Sequence, residues 1–458
     1  MRLMIAGGGG FRVPLVYRAL CAGSFAGLVH ELVLYDVDAT RLAAIEAVLR
    51  DMPVAEGSRP AVVISTDLDQ ALTGTDVVFA AIRPGGTAGR VADERVALEL
   101  GLLGQETTGA GGISYALRSI PRMVELAEAM RTQCPDAWLI NFTNPAGMVT
   151  EALVPVLGNR VIGICDSAGG LVQRAARAAG SPLPEGKLDG VGYFGLNHLG
   201  WLYRLAPAGR NLLPGLLSDE GALRTFEEGR LFGRSLLERL GCLPNEYLYY
   251  YYQTAHATEA IRRQSETRGT AIHQQQSSLY PSLVQAPDAY ASWDAARRSR
   301  EEGYLAEARG HGDERDEDDL AGGGYERVAL AVMRALAGGG EAQLILNVPN
   351  AQVVSSDRND ANVAVPGLPA DAVVEVPCVV TPDGALPLAQ DPPGGQFLTL
   401  MAHVKEVERL TIRAVRDGER EAAIQAFARH PLVGSPTLGR QLLEGYEAAF
   451  PELRRLWG

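Results

Sequence analysis

The sequence predicts an α/β fold: a Rossmann-type parallel-sheet domain over residues 1–166, followed by an α+β domain over residues 167–458. Apolar runs typical of buried strands alternate with helical patterns in the first part, which implies a doubly wound parallel sheet. A glycine run, Gly7 to Gly10, directly follows the first of these strands. A chain of 458 residues also exceeds what one hydrophobic core usually serves, so two domains are expected.

The strand predictions of the first domain rest on short apolar runs bounded by glycine or polar residues. Such runs are typical of strands that are buried on both faces. Helical patterns lie between them, beginning near Val13 and again at residues 121–131. The strand runs cover residues 1–6, 31–36, 61–65, 76–82, 138–141 and 160–165.

The second domain has a mixed pattern. Residues 188–205 look strand-rich, residues 219–240 look helical, and residues 396–429 form one long helical pattern. Residues 373–377 predict an edge strand, because Pro377 cannot donate to a strand ladder. The charge-dense segment 297–319 predicts an exposed loop or frayed helix.

The amino-acid composition disfavours several classes of protein. The formal net charge is −13, which disfavours nucleic acid and anionic membranes as partners. The five cysteines are odd in number and widely spaced, so a reducing cytoplasm is expected rather than a disulfide framework. The chain starts without a signal-peptide pattern, and no apolar run reaches the ~20 residues of a membrane span.

The glycine run has the features of a dinucleotide site. Gly7 and Gly9 lie between a strand and a helix, where glycine permits close approach of a pyrophosphate to the helix N-terminus. Arg12 stands where a third glycine is usual. Asp36 ends the second strand and can accept from both ribose hydroxyls, which favours NAD over NADP. The alternative is a tight turn without ligand, with Asp36 as a helix cap.

Several further segments, taken in order and spacing, resemble the fourth family of glycoside hydrolases over nearly the whole chain. This family includes 6-phospho-α- and 6-phospho-β-glucosidases, and its NAD-dependent members depart from two-carboxylate glycosidase chemistry. The resemblance implies NAD and a divalent metal, usually Mn²⁺, as cofactors. The segments are GGGGFRVPLV, the block from IRPGG through GQETTGAGG to ALRSIP, INFTNPAG, VIGICD, GLNHLGW, PNEYLYYYY, TRG, NVPN, VVEVP and HPLV.

The resemblance also implies roles for single residues. Cys165 and His198 fall on the family's metal ligands, and Tyr247 falls on its proposed base. Arg90 and Arg268 fall on arginines that contact the substrate phosphate, which suits the paired donors of a guanidinium group.

Other matched positions concern the sugar and its anomer. Asn144 is expected to hydrogen-bond sugar hydroxyls. Apart from the resemblance, Glu106 is expected to orient the arginines or the metal site without acting on the substrate. Asp166 is a candidate acid for the leaving oxygen; an Asp here resembles the 6-phospho-α enzymes, whereas the chain as a whole resembles the β enzymes more. Gly10 replaces a serine that the family usually has. A 6-phospho-β-glucosidase is therefore favoured, with the α activity or another activity of the family as the alternative.

The chemistry that the family implies is an elimination made possible by transient oxidation. Oxidation of the hydroxyl at carbon 3 acidifies the hydrogen on carbon 2, its removal expels the group at carbon 1, and water then adds. A metal ion stabilises the enolate as a Lewis acid. A thiolate with an imidazole would by softness suit Zn²⁺; Mn²⁺ is implied by the resemblance.

Two other functions remain open at this point. A hydroxyacid or sugar dehydrogenase on the same fold would produce net NADH and would not need Cys165. A redox sensor would bind NAD without turnover. Taken singly, Cys165 could be a core residue and His198 a structural one. The expected partners are a phosphorylated disaccharide or glucoside and further copies of the chain, as a homodimer or homotetramer.

Overall fold

A computed structural model describes residues 1–54, 59–303, 324–351 and 363–458. Its strands are β1 (Arg2–Ala6), β2 (Glu31–Tyr35), β3 (Ala61–Ser65), β4 (Val77–Ala80), β5 (Trp138–Asn141), β6 (Val161–Gly163), β7 (Val191–Leu196), β8 (Leu199–Leu205), β9 (Leu243–Pro244), β10 (Ala342–Pro349), β11 (Val373–Thr381) and β12 (Gly384–Pro387). They form one twelve-stranded sheet, in the order β3-β2-β1-β4-β5-β6-β10-β11-β7-β8-β9, with β12 paired to β11.

Helices cover both faces of the parallel part and build most of the remaining chain. Those described are α1 (Val13–Leu20), α2 (Ala39–Asp51), α3 (Leu68–Leu72), α4 (Gly86–Glu99), α5 (Ala110–Gln133), α6 (Ala146–Leu157), α7 (Ser167–Ala178), α8 (Leu213–Ser218), α9 (Glu220–Leu223), α10 (Glu227–Leu240), α11 (Tyr249–Tyr252), α12 (Thr254–Arg263), α13 (Arg268–Leu283), α14 (Ala289–Glu302), α15 (Tyr325–Leu336), α16 (Gly395–Asp417), α17 (Arg420–Arg429) and α18 (Pro436–Ala449).

The parallel half of the sheet confirms the predicted Rossmann-type domain. The first six strands pair in parallel, and in the central strand β1 Met4 pairs with Val33 on one side and Val78 on the other. All three side chains are fully buried. Strands covered on both faces by helices need apolar residues at consecutive positions, which is the pattern that the sequence shows.

The sheet continues without interruption into the second half of the chain. Strand β10 pairs antiparallel with β6 through Asn347 and Gly163, and β11 follows it. Helices α13 and α14 also pack on α2, and the backbone N–H of Ala289 donates to Asp51 at 3.0 Å. The α+β part is therefore joined to the parallel part by strand pairing and by helix packing. The domain division at residue 166 stays a prediction.

The predicted edge strand at residues 373–377 is wrong. Strand β11 lies inside the sheet, with β10 on one side and both β7 and β12 on the other. Pro377 is tolerated because it falls where β11 changes neighbours: Glu375 still pairs with β7, and Cys378 already pairs with β12. The missing N–H therefore interrupts no continuous ladder on that side.

Other predicted elements are shorter than expected. The helical pattern at residues 396–429 is divided into α16 and α17, because Gly418 adopts a left-handed φ of 68° and ends the first helix. Residues 219–240 form α9 and α10, with non-helical backbone at Gly233. Of the charge-dense segment, residues 297–302 belong to α14, and residues 304–319 lie outside the described part. No helix in the described ranges is both long and apolar enough to span a bilayer.

Candidate functional site

One cavity of about 1120 Å³ lies at the carboxyl ends of the parallel strands. This edge is where open α/β sheets bind ligands. Of the twelve residues predicted to act in catalysis or to bind a ligand, ten line this cavity, and Gly8 and Gly9 do not. The ten are Gly7, Gly10, Asp36, Arg90, Asn144, Cys165, Asp166, His198, Tyr247 and Arg268.

The glycine loop is closely packed against the second strand and its acid. The N–H groups of Gly7 and Gly8 donate to the Tyr35 carbonyl at 2.9 and 2.7 Å, and Gly9 N–H donates to Asp36 Oδ2 at 3.0 Å. Gly7 has a left-handed φ of 91°, and a Cβ there would lie 2.7 Å from the carbonyl oxygen of Ala81. The loop therefore requires glycine for conformation and for space.

Aromatic side chains from the second half of the chain hold the carbonyls of this loop. Tyr280 Oη donates to Gly9 O at 2.8 Å, Trp293 Nε1 to Phe11 O at 2.8 Å, and Tyr325 Oη to Arg12 O at 2.8 Å. Local sequence patterns gave no indication of these donors, because the contacts join residues more than 270 positions apart. Three carbonyl dipoles are thus satisfied inside the protein.

Cys165 and Asp166 follow strand β6 and precede α7. The thiol of Cys165 is buried, 6% exposed, and its Sγ lies 4.0 Å from Asp166 Oδ1. Burial, together with the nearby carboxylates of Glu375 and Asp166, raises the pKa of the Cys165 thiol well above its ordinary value. A bound cation would reverse this preference, since metal ions stabilise thiolates.

His198 occupies the tight turn between β7 and β8. Leu196 pairs with Leu199, so Asn197 and His198 form the whole turn, and His198 has a left-handed φ of 64°. Residues other than glycine rarely adopt this conformation, and strained positions of this kind cluster at functional sites. The Nδ1 atom of His198 is buried without a hydrogen-bond partner. Burial also lowers the pKa of the ring to about 3.

Tyr247 stacks directly on His198. Their ring centroids lie 3.7 Å apart with an interplanar angle of 11°. The backbone N–H of Tyr247 donates to the side chain of Asn245, which is itself fully buried. The phenol is thereby fixed beside the imidazole at the wall of the cavity.

Asn144 is brought to the same wall by the loop after β5. Its Oδ1 atom is buried and has no partner, so it is available to a ligand. The next residues are tied to the His198 turn, because Ala146 N–H donates to Asn197 Oδ1 at 3.0 Å. The peptide bond between Asn144 and Pro145 is cis.

The two predicted phosphate arginines are linked by a buried carboxylate. Arg90 Nε donates to Glu94 Oε1 at 2.9 Å, and the other oxygen of Glu94 accepts from Gly269 N at 2.9 Å, next to Arg268. A Cβ on Gly269 would lie 2.5 Å from that oxygen, so the close approach requires glycine.

Glu106 lies among four arginines, which we name the arginine cluster: Arg83, Arg90, Arg268 and Arg300. Glu106 forms 2.6 Å ion pairs with Arg83 and with Arg90. Burial alone would raise the pKa of Glu106, but the four guanidinium charges lower it to about 2. The four guanidinium charges outnumber the carboxylates of Glu106 and Glu94, and this excess of positive charge suits an anion.

Arg83 and Arg300 were not among the predicted residues. Arg83 follows strand β4 at the ligand-binding edge of the sheet, and this position could have indicated it. Arg300 is recognisable only from the fold, since it comes from α14. Burial and the charges of Arg12, Arg268 and Arg90 lower the pKa of Arg300 to about 9, and its Nε has no hydrogen-bond partner. Arg300 is therefore poorly compensated by the protein itself.

The side chains of Cys165 and His198 suit a metal ion that the protein holds with only two ligands. Within the described ranges, no group of three or more His, Cys, Asp or Glu side chains is arranged to hold a metal. Cys165 and His198 border the same cavity, and their sulfur and imidazole are side-chain donors that transition metals accept. A two-ligand site of this kind leaves coordination positions open to substrate oxygens.

The fold and this cavity define an α/β protein in which one cavity joins a glycine loop to a cluster of arginines. The Family 4 glycosyl hydrolase model matches residues 2–180, and the Family 4 glycosyl hydrolase C-terminal domain model matches residues 193–433. The chain belongs to family 4 of the glycosyl hydrolases. It is an enzyme of the glycoside hydrolase class.

Individual relatives match along nearly their whole length. The 6-phospho-alpha-glucosidase of Leptotrichia buccalis is 28% identical over 96% of each chain. The probable 6-phospho-beta-glucosidase of Bacillus subtilis is 27% identical, over 99% of this chain and 98% of the relative. The structure of the 6-phospho-beta glucosidase from Thermotoga maritima with manganese, NAD⁺ and glucose-6-phosphate has a TM-score of 0.80 at 25% identity, covering 99% of both chains.

Proposed function

We propose that the protein hydrolyses 6-phosphoglucosides with the help of NAD and Mn²⁺. The observation that carries the proposal is a single cavity that joins the glycine loop, the Cys165–His198 pair and the arginine cluster. The names of the relatives support the substrate class, and the Thermotoga structure holds NAD⁺, manganese and glucose-6-phosphate. The redox-elimination route is part of the proposal.

The arginine cluster is the proposed binding site for the 6-phosphate group of the substrate. Arg90 and Arg268 are held in place by Glu94, while Arg300 contributes a charge that the protein compensates poorly. A dianionic phosphate would relieve the repulsion among these guanidinium groups. Phosphate binding would therefore also fix the distance between the sugar ring and the opposite wall of the cavity.

The opposite wall contains the groups proposed to act on the sugar. Cys165 and His198 would hold the cation, which would lower the pKa of the sugar hydroxyl and stabilise developing negative charge. Asp36 and the loop from Gly7 to Gly10 would hold NAD, which would supply reversible oxidation at carbon 3. Tyr247, stacked on His198, would remove the proton from carbon 2. Asp166 would donate a proton to the leaving oxygen.

Asn144 and Asp36 have proposed binding roles. The unpartnered Oδ1 of Asn144 would accept from a sugar hydroxyl. Asp36 already accepts from Gly9 and Asp38 N–H groups and borders the cavity, where it would accept from the ribose. Gly7 to Gly10 would contact the pyrophosphate.

We propose the β-linked compounds as the first substrates, with the α-linked compounds second. The Thermotoga β-glucosidase supports the first choice. Asp166 and the Leptotrichia α-glucosidase favour the second. Both anomers are compatible with the route, because oxidation at carbon 3 precedes departure of the group at carbon 1. A cytoplasmic homodimer or homotetramer is likewise proposed.

A panel of nitrophenyl glucosides tests the proposal. Both anomers, with and without a 6-phosphate, would be incubated with NAD, Mn²⁺ and a thiol reductant. The expected result is nitrophenol release from a phosphorylated compound without net NADH. The Tyr247→Phe variant should lose this activity, whereas Tyr252→Phe should retain more of it, since the Tyr252 hydroxyl accepts from Trp201 Nε1. Net NADH without nitrophenol would instead identify a dehydrogenase.

A further inference from the structure

A second, small cavity also borders His198. Its volume is about 40 Å³, and His198 borders both cavities. A cavity that holds one water needs roughly 10–15 Å³ by this measure, so there is room for about one to three. Its wall includes the polar side chains of Thr108, Tyr251, Glu408 and His430.

Three residues that line this cavity have a buried polar atom without a hydrogen-bond partner. One of these atoms, Oε2 of Glu408, forms an ion pair with Lys405, and the other two have no partner of either kind. These are Nδ1 of His198 and Oγ1 of Thr108, in side chains of residues that are 7% and 5% exposed. Leaving such groups unpaired inside a protein is unfavourable, because they have lost their hydrogen bonds to water. Polar cavities of sufficient size normally contain ordered water that satisfies groups of this kind.

A third donor reaches the same wall through a chain of hydrogen bonds. Leu432 N–H donates to His430 Nδ1 at 3.1 Å, so the hydrogen of the neutral ring lies on Nε2. Burial keeps this ring neutral by lowering its pKa to about 3. His430 Nε2 lies 3.4 Å from Tyr251 Oη and donates to it, which leaves the phenol hydrogen of Tyr251 for the cavity.

We propose that an ordered water in this cavity accepts hydrogen bonds from His198 Nδ1–H and from Tyr251, and donates to Thr108 Oγ1. Such a water fixes His198 in the tautomer with hydrogen on Nδ1. The Nε2 lone pair then points to the main cavity, as a metal ligand requires. Thr108 is a positioning residue. The expected effect of Thr108 on metal binding rests on the proposed function. The presence of the water and the tautomer of His198 are independent of that function.

Two measurements on the metal-free wild-type protein test the water and the tautomer. A high-resolution crystal structure should show density within hydrogen-bonding distance of His198 Nδ1 and Thr108 Oγ1. Nitrogen-15 NMR of the seven labelled histidines, with His198→Gln to assign the signal, should show hydrogen on Nδ1 of His198. Absence of that density, or hydrogen on Nε2, overturns the proposal.

Variants test the positioning role of Thr108. Thr108→Val should weaken Mn²⁺ binding by about tenfold, measured by electron paramagnetic resonance, and should disturb the tautomer signal. Thr108→Ser should restore both. Thr411→Val is the matched control, since Thr411 is fully buried but donates to Val407 O within its own helix. Wild-type affinity in Thr108→Val refutes the role. Failure of the wild type to bind Mn²⁺ counts against the proposed function. The crystal density and the tautomer of His198 still test whether the water is present.

Discussion

Replacing Glu106 with glutamine tests the electrostatics of the arginine cluster. The carboxylate lies 2.6 Å from both Arg83 and Arg90, and its side chain is 13% exposed. Glutamine keeps the shape of the side chain but removes the charge. The buried guanidinium groups then lose their anion, and breaking a buried pair in this way typically costs about 3–5 kcal/mol.

The size of the effect follows from the pKa of Glu106. Its value falls from 4.5 to about 2 in the folded protein. This difference corresponds to about 3 kcal/mol of stability at pH 7. Because the folded-state pKa is depressed, this contribution is complete above pH 4.5 and is lost as the pH falls through about 2. At pH 3 about 1 kcal/mol should remain.

Urea unfolding at a series of pH values measures this contribution. Glu106→Gln should lower the free energy of unfolding by about 3 kcal/mol at pH 7, and its difference from the wild type should shrink by about 2 kcal/mol at pH 3. Glu99→Gln is the control, because Glu99 is 69% exposed and pairs with Arg95 only at 3.8 Å. Its effect should stay below about 1 kcal/mol. A pH-independent difference between Glu106→Gln and the wild type would refute the reasoning.

Three further substitutions have expected outcomes. Tyr280→Phe removes the donor to Gly9 O and should weaken NAD binding by about tenfold, measured by fluorescence titration; unchanged affinity contradicts a role for this bond. Cys165→Ser should lower Mn²⁺ affinity by at least about tenfold in equilibrium dialysis, since serine is a poorer ligand; equal affinity excludes Cys165 as a ligand. Arg300→Met should raise the melting temperature, because it removes a buried charge repelled by its neighbours, and should weaken glucose-6-phosphate binding in calorimetry; a lower melting temperature speaks against the repulsion.

The sequence was informative wherever local pattern determines structure. Buried parallel strands require apolar residues at consecutive positions, so their locations were readable, and the fold class was confirmed. Residues at the carboxyl ends of these strands necessarily meet at one edge of the sheet. The position of Cys165 after its strand therefore indicates this edge, whereas Asn144 was identified from the family resemblance; both line the cavity of the glycine loop.

The sequence was less informative about neighbours that come from distant segments. Strand β11 was wrongly predicted to be an edge strand, because its proline can be read from the sequence. The change of its neighbouring strand from β7 to β12 cannot be read there. Arg300 looks like any other residue of a charged helix, and only packing places it beside Arg268. The roles assigned to Tyr247 and Asp166 came from family resemblance and stay predictions.

The three aromatic donors to the glycine loop affect how the protein acquires its nucleotide site during synthesis. The loop itself is translated first, but Tyr280, Trp293 and Tyr325 follow hundreds of residues later. A nascent chain that ends after residue 166 would carry the loop with three of its carbonyls unsupported. A shortened chain of this kind should bind the cofactor poorly by itself. Transfer of the loop to another protein would require the three aromatic donors as well.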